Sequence, residues 1–267
     1  MLKDVTLGQY FPGDTVVHRL DPRTKLILVI VYIVALFCAK SYVSYAVVAA
    51  FLILCMYLSR IRLRVIAKGL KPLLLIIVLT GLLNMFYTPG RELVHFWIFT
   101  ITWEGIRNAI FMISRIVMLI FGTFLLTYTT SPIALTDAME LLMNPLKKIK
   151  VPVHELSMMM CIALRFIPTL ISETDKIISA QKARGADFES GNLIRRAKAL
   201  IPILVPLFIS AFRRADELAV AMESRCYHGG KGRTRMKQLH MAGRDYLALA
   251  FGAALLAVVI ILRRHGL

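Results

Sequence analysis

The sequence predicts an all-α integral membrane protein, with about five transmembrane helices and a long helical region on the cytoplasmic side. Three observations predict it. Of 267 residues, 58% are apolar and the mean hydropathy is +0.68, well outside the soluble range. The apolar residues gather in runs, and roughly 20 helical residues at 1.5 Å each cross a hydrocarbon layer of about 30 Å. The 33 Lys and Arg against 16 Asp and Glu leave a formal charge of +17, so the parts outside the runs are strongly basic. The four cysteines, Cys38, Cys55, Cys161 and Cys226, are scattered without C-x-x-C spacing, which argues against a secreted disulfide scaffold.

Taken in order, residues 1–25 form a mixed segment with no small-residue cleavage site, and read as a retained cytoplasmic amino terminus. Residues 26–130 hold four spans, at about 26–39, 42–58, 72–87 and 110–127. The first is barely long enough, and the tight Lys40-Ser41 turn makes it a helical hairpin with the second. Residues 131–243 form a cytoplasmic domain, and 244–267 hold a fifth span at about 246–262. Basic residues are retained on the cytoplasmic side. Arg19, Arg23 and Lys25 precede the first span, Lys40 alone separates the first two, and Arg60, Arg62, Arg64, Lys68 and Lys71 crowd the next loop, which places the amino terminus inside. Trp97 and Trp103, with Tyr87, Phe96 and Phe99, suit an aromatic belt at the outer interface. Five crossings put Arg263 and Arg264 outside, against the charge bias.

The 131–243 region holds about half of the basic residues and most of the acids. Two helical runs, 155–183 and 193–224, mix apolar and charged positions and are joined by a polar turn at 185–192. The most apolar piece, 199–212, would span only about 21 Å, is bracketed by arginines, and contains Pro202 and Pro206, which bend helices. These helices are expected to lie along the inner membrane face.

Several chemistries are missing. Gly229-Gly230-Lys231-Gly232 lacks the spacing of a phosphate-wrapping loop. The six histidines show no H-E-x-x-H and no i, i+4 pair, so no metal site is expected. Met158-Met159-Met160 point around a helix and read as adaptable packing. No acid falls inside a predicted span, against a proton-coupled carrier. Arg115 does fall inside one; it either reaches the outer headgroups or pairs with an internal carbonyl or Asn84, or it contacts a partner protein. The close acidic pairs, Asp216-Glu217 and Glu173 with Asp175, read as solvated faces with basic neighbours.

Two helix ends stand out. One reads Gln181-Lys182-Ala183-Arg184-Gly185 and the other Glu223-Ser224-Arg225-Cys226-Tyr227, each with a small residue followed by arginine. Arginine near a negative helix end, with Gly185 free to turn left-handed, explains such residues as caps. Alternatively, each planar guanidinium projects into an acidic or carbonyl-lined groove of another protein.

With these ends, the opening segment carries a resemblance. Gly8-Gln9-Tyr10, Pro12-Gly13-Asp14 and His18-Arg19-Leu20-Asp21-Pro22-Arg23-Thr24-Lys25 resemble the amino-terminal signature of the CbiQ/EcfT family, the transmembrane (T) components of energy-coupling factor (ECF) vitamin transporters. The two Ala-Arg-Gly motifs of that family are matched fully by Ala183-Arg184-Gly185, and at the arginine alone by Ser224-Arg225-Cys226. The likeness covers nearly the whole chain.

The resemblance implies a non-catalytic subunit of an ECF-type importer. It would couple two ATP-binding subunits, which hold the ATP and Mg, to a small substrate-binding membrane subunit, the S component, with several such subunits interchangeable. It also implies that the cytoplasmic helices are coupling helices, with Arg184 and Arg225 as ATPase anchors flanked by Ala183, Gly185, Ser224 and Cys226, and with His18, Asp21, Pro22 and Arg23 as signature residues. A dedicated cobalt or nickel module is the alternative within the family. Outside it, a membrane-embedded enzyme acting on phosphorylated lipid would want clustered carboxylates or histidines that the sequence does not offer. Nucleic acid is not expected as a partner, because the basic residues are dispersed through apolar helices; membrane lipid is.

Overall fold

Helices form where the apolar and mixed runs were expected. The computed structural model describes residues 10–90, 92–96, 99–186, 188, 192–229 and 238–265. The helices are α1 (Pro22–Cys38), α2 (Tyr42–Ser59), α3 (Leu63–Leu70), α4 (Leu74–Tyr87), α5 (Trp103–Thr129), α6 (Pro132–Leu142), α7 (Val153–Ala183), α8 (Leu193–Glu223) and α9 (Gly243–Arg264). One addition to the helices is an antiparallel hairpin of β1 (Glu92–Phe96) and β2 (Phe99–Thr102) between α4 and α5. The chain is an all-α membrane protein apart from this pair.

Five stretches are long and apolar enough to cross a membrane: Tyr42–Ser59, Arg64–Tyr87, Trp103–Thr129, Val153–Ala183 and Gly243–Arg264. In membership this set differs from the expected one at two places. α1, with 17 residues, falls short of a full crossing by length, whereas the 31 residues of α7 qualify. The last span starts earlier than expected, so Asp245 lies inside its first turn and is buried.

The chain divides into two compact units, one built on Gln9–Leu135 with Leu239–Leu267 and the other on Thr136–Gln238. In the first, α1 packs against α2, α5 and α9, and α4 packs along α5. The core runs through Tyr32, Leu36, Val48, Leu52, Met118, Leu255 and Val259. Close approach needs glycine at Gly122: a Cβ there would collide with the Tyr32 ring, whose hydroxyl donates to the Met118 carbonyl at 2.8 Å. The starts of α1 and α9 meet the end of α5 at one end of this bundle, since Asp21 bonds Asp245 and Lys25 bonds Thr129. Tyr87 and Trp103 are exposed where α4 ends and α5 begins; Trp97 lies outside the described residues.

Arg115 resolves one open alternative. Its Nε donates to the Tyr45 hydroxyl at 2.8 Å and its Nη2 reaches the Ala39 carbonyl at 3.5 Å, while Phe37 and Tyr45 present their rings to the guanidinium. The internal carbonyl is thus used and Asn84 is not; the Asn84 amide bonds the Thr80 carbonyl of its own helix.

The second unit contains an antiparallel pair of 31-residue helices, α7 and α8. Met158 of α7 accepts from the Tyr227 hydroxyl beyond α8 at 3.0 Å, and Glu173 takes the Ser210 hydroxyl and both Nε and Nη2 of Arg214, at 3.1 and 2.7 Å. Glu173 therefore joins the two helices and is not part of a solvated face, as the sequence had suggested; Asp175 and the Asp216-Glu217 pair are exposed. Near the end of α7, the Gln181 amide donates to the Pro202 carbonyl at 3.4 Å. Pro206 has no N–H, so that carbonyl lacks its usual helical donor and Gln181 supplies one. Both helices leave large apolar side chains exposed, among them Met159, Met160, Leu204, Phe208 and Phe212.

Candidate functional site

The two arginine-bearing helix ends share one backbone geometry. At the end of α7, the Gly185 amide donates to the Lys182 carbonyl at 3.0 Å and the Ala186 amide to the Gln181 carbonyl at 3.0 Å. These paired closing bonds require a left-handed residue, which Gly185 provides at φ +85°. At the end of α8, the Cys226 amide donates to the Glu223 carbonyl at 2.8 Å and the Tyr227 amide to the Met222 carbonyl at 3.1 Å, with Cys226 at φ +56°. A side chain in that conformation costs about 1 kcal/mol. Arg184 and Arg225 occupy the same position, one residue before the left-handed turn.

Ala183, Arg184, Gly185, Ser224, Arg225 and Cys226 are all exposed. Neither guanidinium bonds a carbonyl of its own helix end or any other group among the described residues. The backbone alone closes each helix, and the arginine forks, with five donors apiece, stay available. Because α7 and α8 run antiparallel, the two forks lie at opposite ends of the pair. The Glu173–Arg214 and Gln181–Pro202 contacts set Arg184 level with about Ile201, and the residues from there to Arg225 span about 36 Å.

The signature residues come together elsewhere, in the bundle. Asp21 caps α1, accepting the Arg23 amide at 2.8 Å while the Arg23 guanidinium forks onto both of its carboxylate oxygens at 3.2 and 3.0 Å. Pro22 opens the helix, where its missing N–H leaves no bond unmade. Arg23 also reaches the Leu239 carbonyl at 2.7 Å, and the Asp21 amide donates to Asp245, whose other oxygen accepts the Ala242 amide at the start of α9. Lys25 is buried and donates to the His18 and Thr129 carbonyls at 3.1 and 2.8 Å.

His18 pins the preceding segment. Its Nε2 lies 3.0 Å from the Phe11 carbonyl, which can only accept, so Nε2 carries the proton and Nδ1 accepts from the Thr15 hydroxyl at 2.6 Å. Partial burial lowers its pKa from the usual histidine value, against the opposing effect of the Phe11 bond. Gly8 and Gln9 lie outside the described residues.

The sequence did not reveal two groups in these networks. Asp245 sits far along the chain from Asp21, with no local signal beyond its place in a first helical turn. His154 bonds Glu140 of α6 at 3.1 Å. Among the described residues no cluster of three His, Cys, Asp or Glu could hold a metal; the Gly230-Lys231-Gly232 stretch lies outside them.

Residues 13–236 match the family described as cobalt transport protein, CbiQ. Curated relatives are similar over nearly their whole length. An energy-coupling factor transporter transmembrane protein EcfT from Thermosediminibacter oceani is 55% identical over 263 residues, 98% of this chain and 99% of the relative. Proteins of the same description from Clostridium kluyveri and Lactococcus lactis are 54% and 44% identical, each covering 98% of both chains.

Proposed function

The chain belongs to the CbiQ/EcfT family of energy-coupling factor transporter transmembrane proteins, and we propose that it carries the movement of two ATP-binding subunits to a small substrate-binding membrane subunit. One observation carries this reading: two arginine forks, without a partner among the described residues, stand at equivalent positions on the two ends of one antiparallel helix pair. Two separated, like-built contact points suit two like partners. Each fork would enter a groove offering carboxylates or carbonyls, where several fixed hydrogen bonds hold it in orientation.

In this reading ATP and Mg belong to the partner subunits, and this chain contributes no catalysis. The exposed apolar side chains of α7 and α8 offer a surface to the substrate-binding subunit, and the bends expected at Pro168, Pro202 and Pro206 would let them follow it. The helix pair and the amino terminus face the cytoplasm, as the basic residues flanking the spans indicate.

The test is the combined substitution Arg184→Glu with Arg225→Glu, which reverses charge at both anchors. Co-purification of the ATP-binding subunits and substrate uptake should both be lost. Normal assembly and uptake in that double variant would overturn the anchoring role.

A further inference from the structure

The bundle contains a slot of about 500 Å³ between α2 and α9, floored by α1 and α5. Its deep end is closed by Tyr32 and Phe51, with ring centroids 6.4 Å apart, and Phe251 continues the stack outward to the rim, 5.8 Å from Phe51. Its shallow end is covered by Val16, Val17 and Leu20, in the segment that His18 pins down. From Lys25 to Tyr32 the slot runs about 10 Å along α1. Leu54, Leu58, Leu247 and Phe251 form an exposed apolar rim, so the slot opens sideways to the surrounding medium.

Charge is confined to the mouth and has one sign. Lys25 and Arg244 are the charged residues of the lining, and no carboxylate is among them. Nearby acids are already engaged: Asp245 by the Asp21 and Ala242 amides, Asp21 by Arg23. An adjoining recess holds Arg60 and Asp14, with Asp14 in turn 3.9 Å from Arg19. Lys25 is spent on two carbonyls, whereas Arg244 is exposed and without a partner among the described residues.

We propose that this slot holds the headgroup-proximal part of one acyl chain of an anionic phospholipid, with the lipid phosphate on Arg244. Water in so apolar a slot is unfavourable, and in a bilayer the medium at its rim is hydrocarbon. A peptide segment would bring unpaired backbone groups into a space that offers them little polar partnership. A neutral lipid would leave the cationic mouth uncompensated. The assignment needs only that the bundle is in a membrane, and so stands or falls separately from the coupling role.

The test is native mass spectrometry of the detergent-solubilised full chain, alone and co-purified with its transporter partners. The probes are dioleoyl phosphatidylglycerol and dioleoyl phosphatidylcholine. One phosphatidylglycerol should be retained in both samples under activation that strips all other lipid. Arg244→Gln should lower the preference for phosphatidylglycerol about fivefold, the usual contribution of one basic side chain at an anionic surface. Ala248→Phe, which fills the slot from α9, should abolish retention of either lipid. Equal retention of the two lipids by the unaltered chain, or an Arg244→Gln variant with unchanged preference, would overturn the proposal even if Ala248→Phe fails to fold. Retention by the isolated chain that is lost on assembly would assign the slot to a protein segment and would also overturn it.

Discussion

Arg23 and Arg184 are the same residue type in opposite settings. Arg23 is largely buried, forks onto Asp21 and reaches the Leu239 carbonyl, so its charge is consumed in holding the amino-terminal segment, α1 and α9 together. Arg184 stands at a helix tip with its donors unspent among the described residues, and Arg225 repeats it at the other end of the pair. The contrast separates two uses of charge in one chain. Inside the bundle it fixes structure, and loss of a partner strands a buried group; at the tips it is held ready for something outside.

The largest effect on stability should therefore come from Asp21→Ala, which leaves the Arg23 guanidinium and a cap amide without their acceptor. A loss of about 3 kcal/mol is expected, read as a lowered thermal midpoint of the detergent-solubilised chain. The Arg184→Glu and Arg225→Glu pair should by contrast leave that midpoint almost unmoved, within about 0.5 kcal/mol. An Asp21→Ala variant as stable as the parent, or a tip variant that unfolds early, would erase the distinction.

A smaller effect separates the two tips from each other. Cys226 carries a side chain in the left-handed conformation that Gly185 adopts freely. Cys226→Gly should gain about 1 kcal/mol and Gly185→Ala should lose about as much, although a Cβ at Gly185 would meet nothing within 4 Å. Hydrogen exchange at the last turns of α7 and α8 would read the two changes directly. Equal protection in all variants would mean the backbone closing is not what holds these ends.

The smallest effect is that of acid on the segment pinned by His18. Burial lowers the His18 pKa, so the folded state favours the neutral ring that bonds Phe11 and Thr15. Between the folded and unfolded values the unfolded chain binds more protons, and stability rises with pH. The contribution is complete above the usual histidine value and is lost as pH falls through the folded one. Thermal midpoints measured between pH 7 and 5 should decline, and His18→Gln should flatten that decline.

What the sequence disclosed was whatever periodicity and chain punctuation control. The Lys40-Ser41 turn, the extents of α7 and α8, and the two arginine-bearing helix ends all follow from apolar runs and helix-stop chemistry, and all appear in the structure. Partners distant in sequence did not. Arg115 found Tyr45 and Ala39 where Asn84 had been an option, and Glu173 found Ser210 and Arg214, because such pairings depend on which helix faces pack. Cys226 was unreadable for a further reason. Nothing in its residue type favours a left-handed turn, and the closing bonds from Cys226 and Tyr227 impose it.

Mechanically, the α7–α8 pair is a beam with a grip at each end. If both grips shift together, the beam is merely carried along. If they shift in opposite senses by about 1 Å each, a beam gripped about 36 Å apart must turn by roughly 3° or flex at its proline sites. The Gln181–Pro202 bond, three residues from the Arg184 grip, lies where such flexing would first be felt. An arrangement of this kind responds to the difference between its two attachments and disregards their sum.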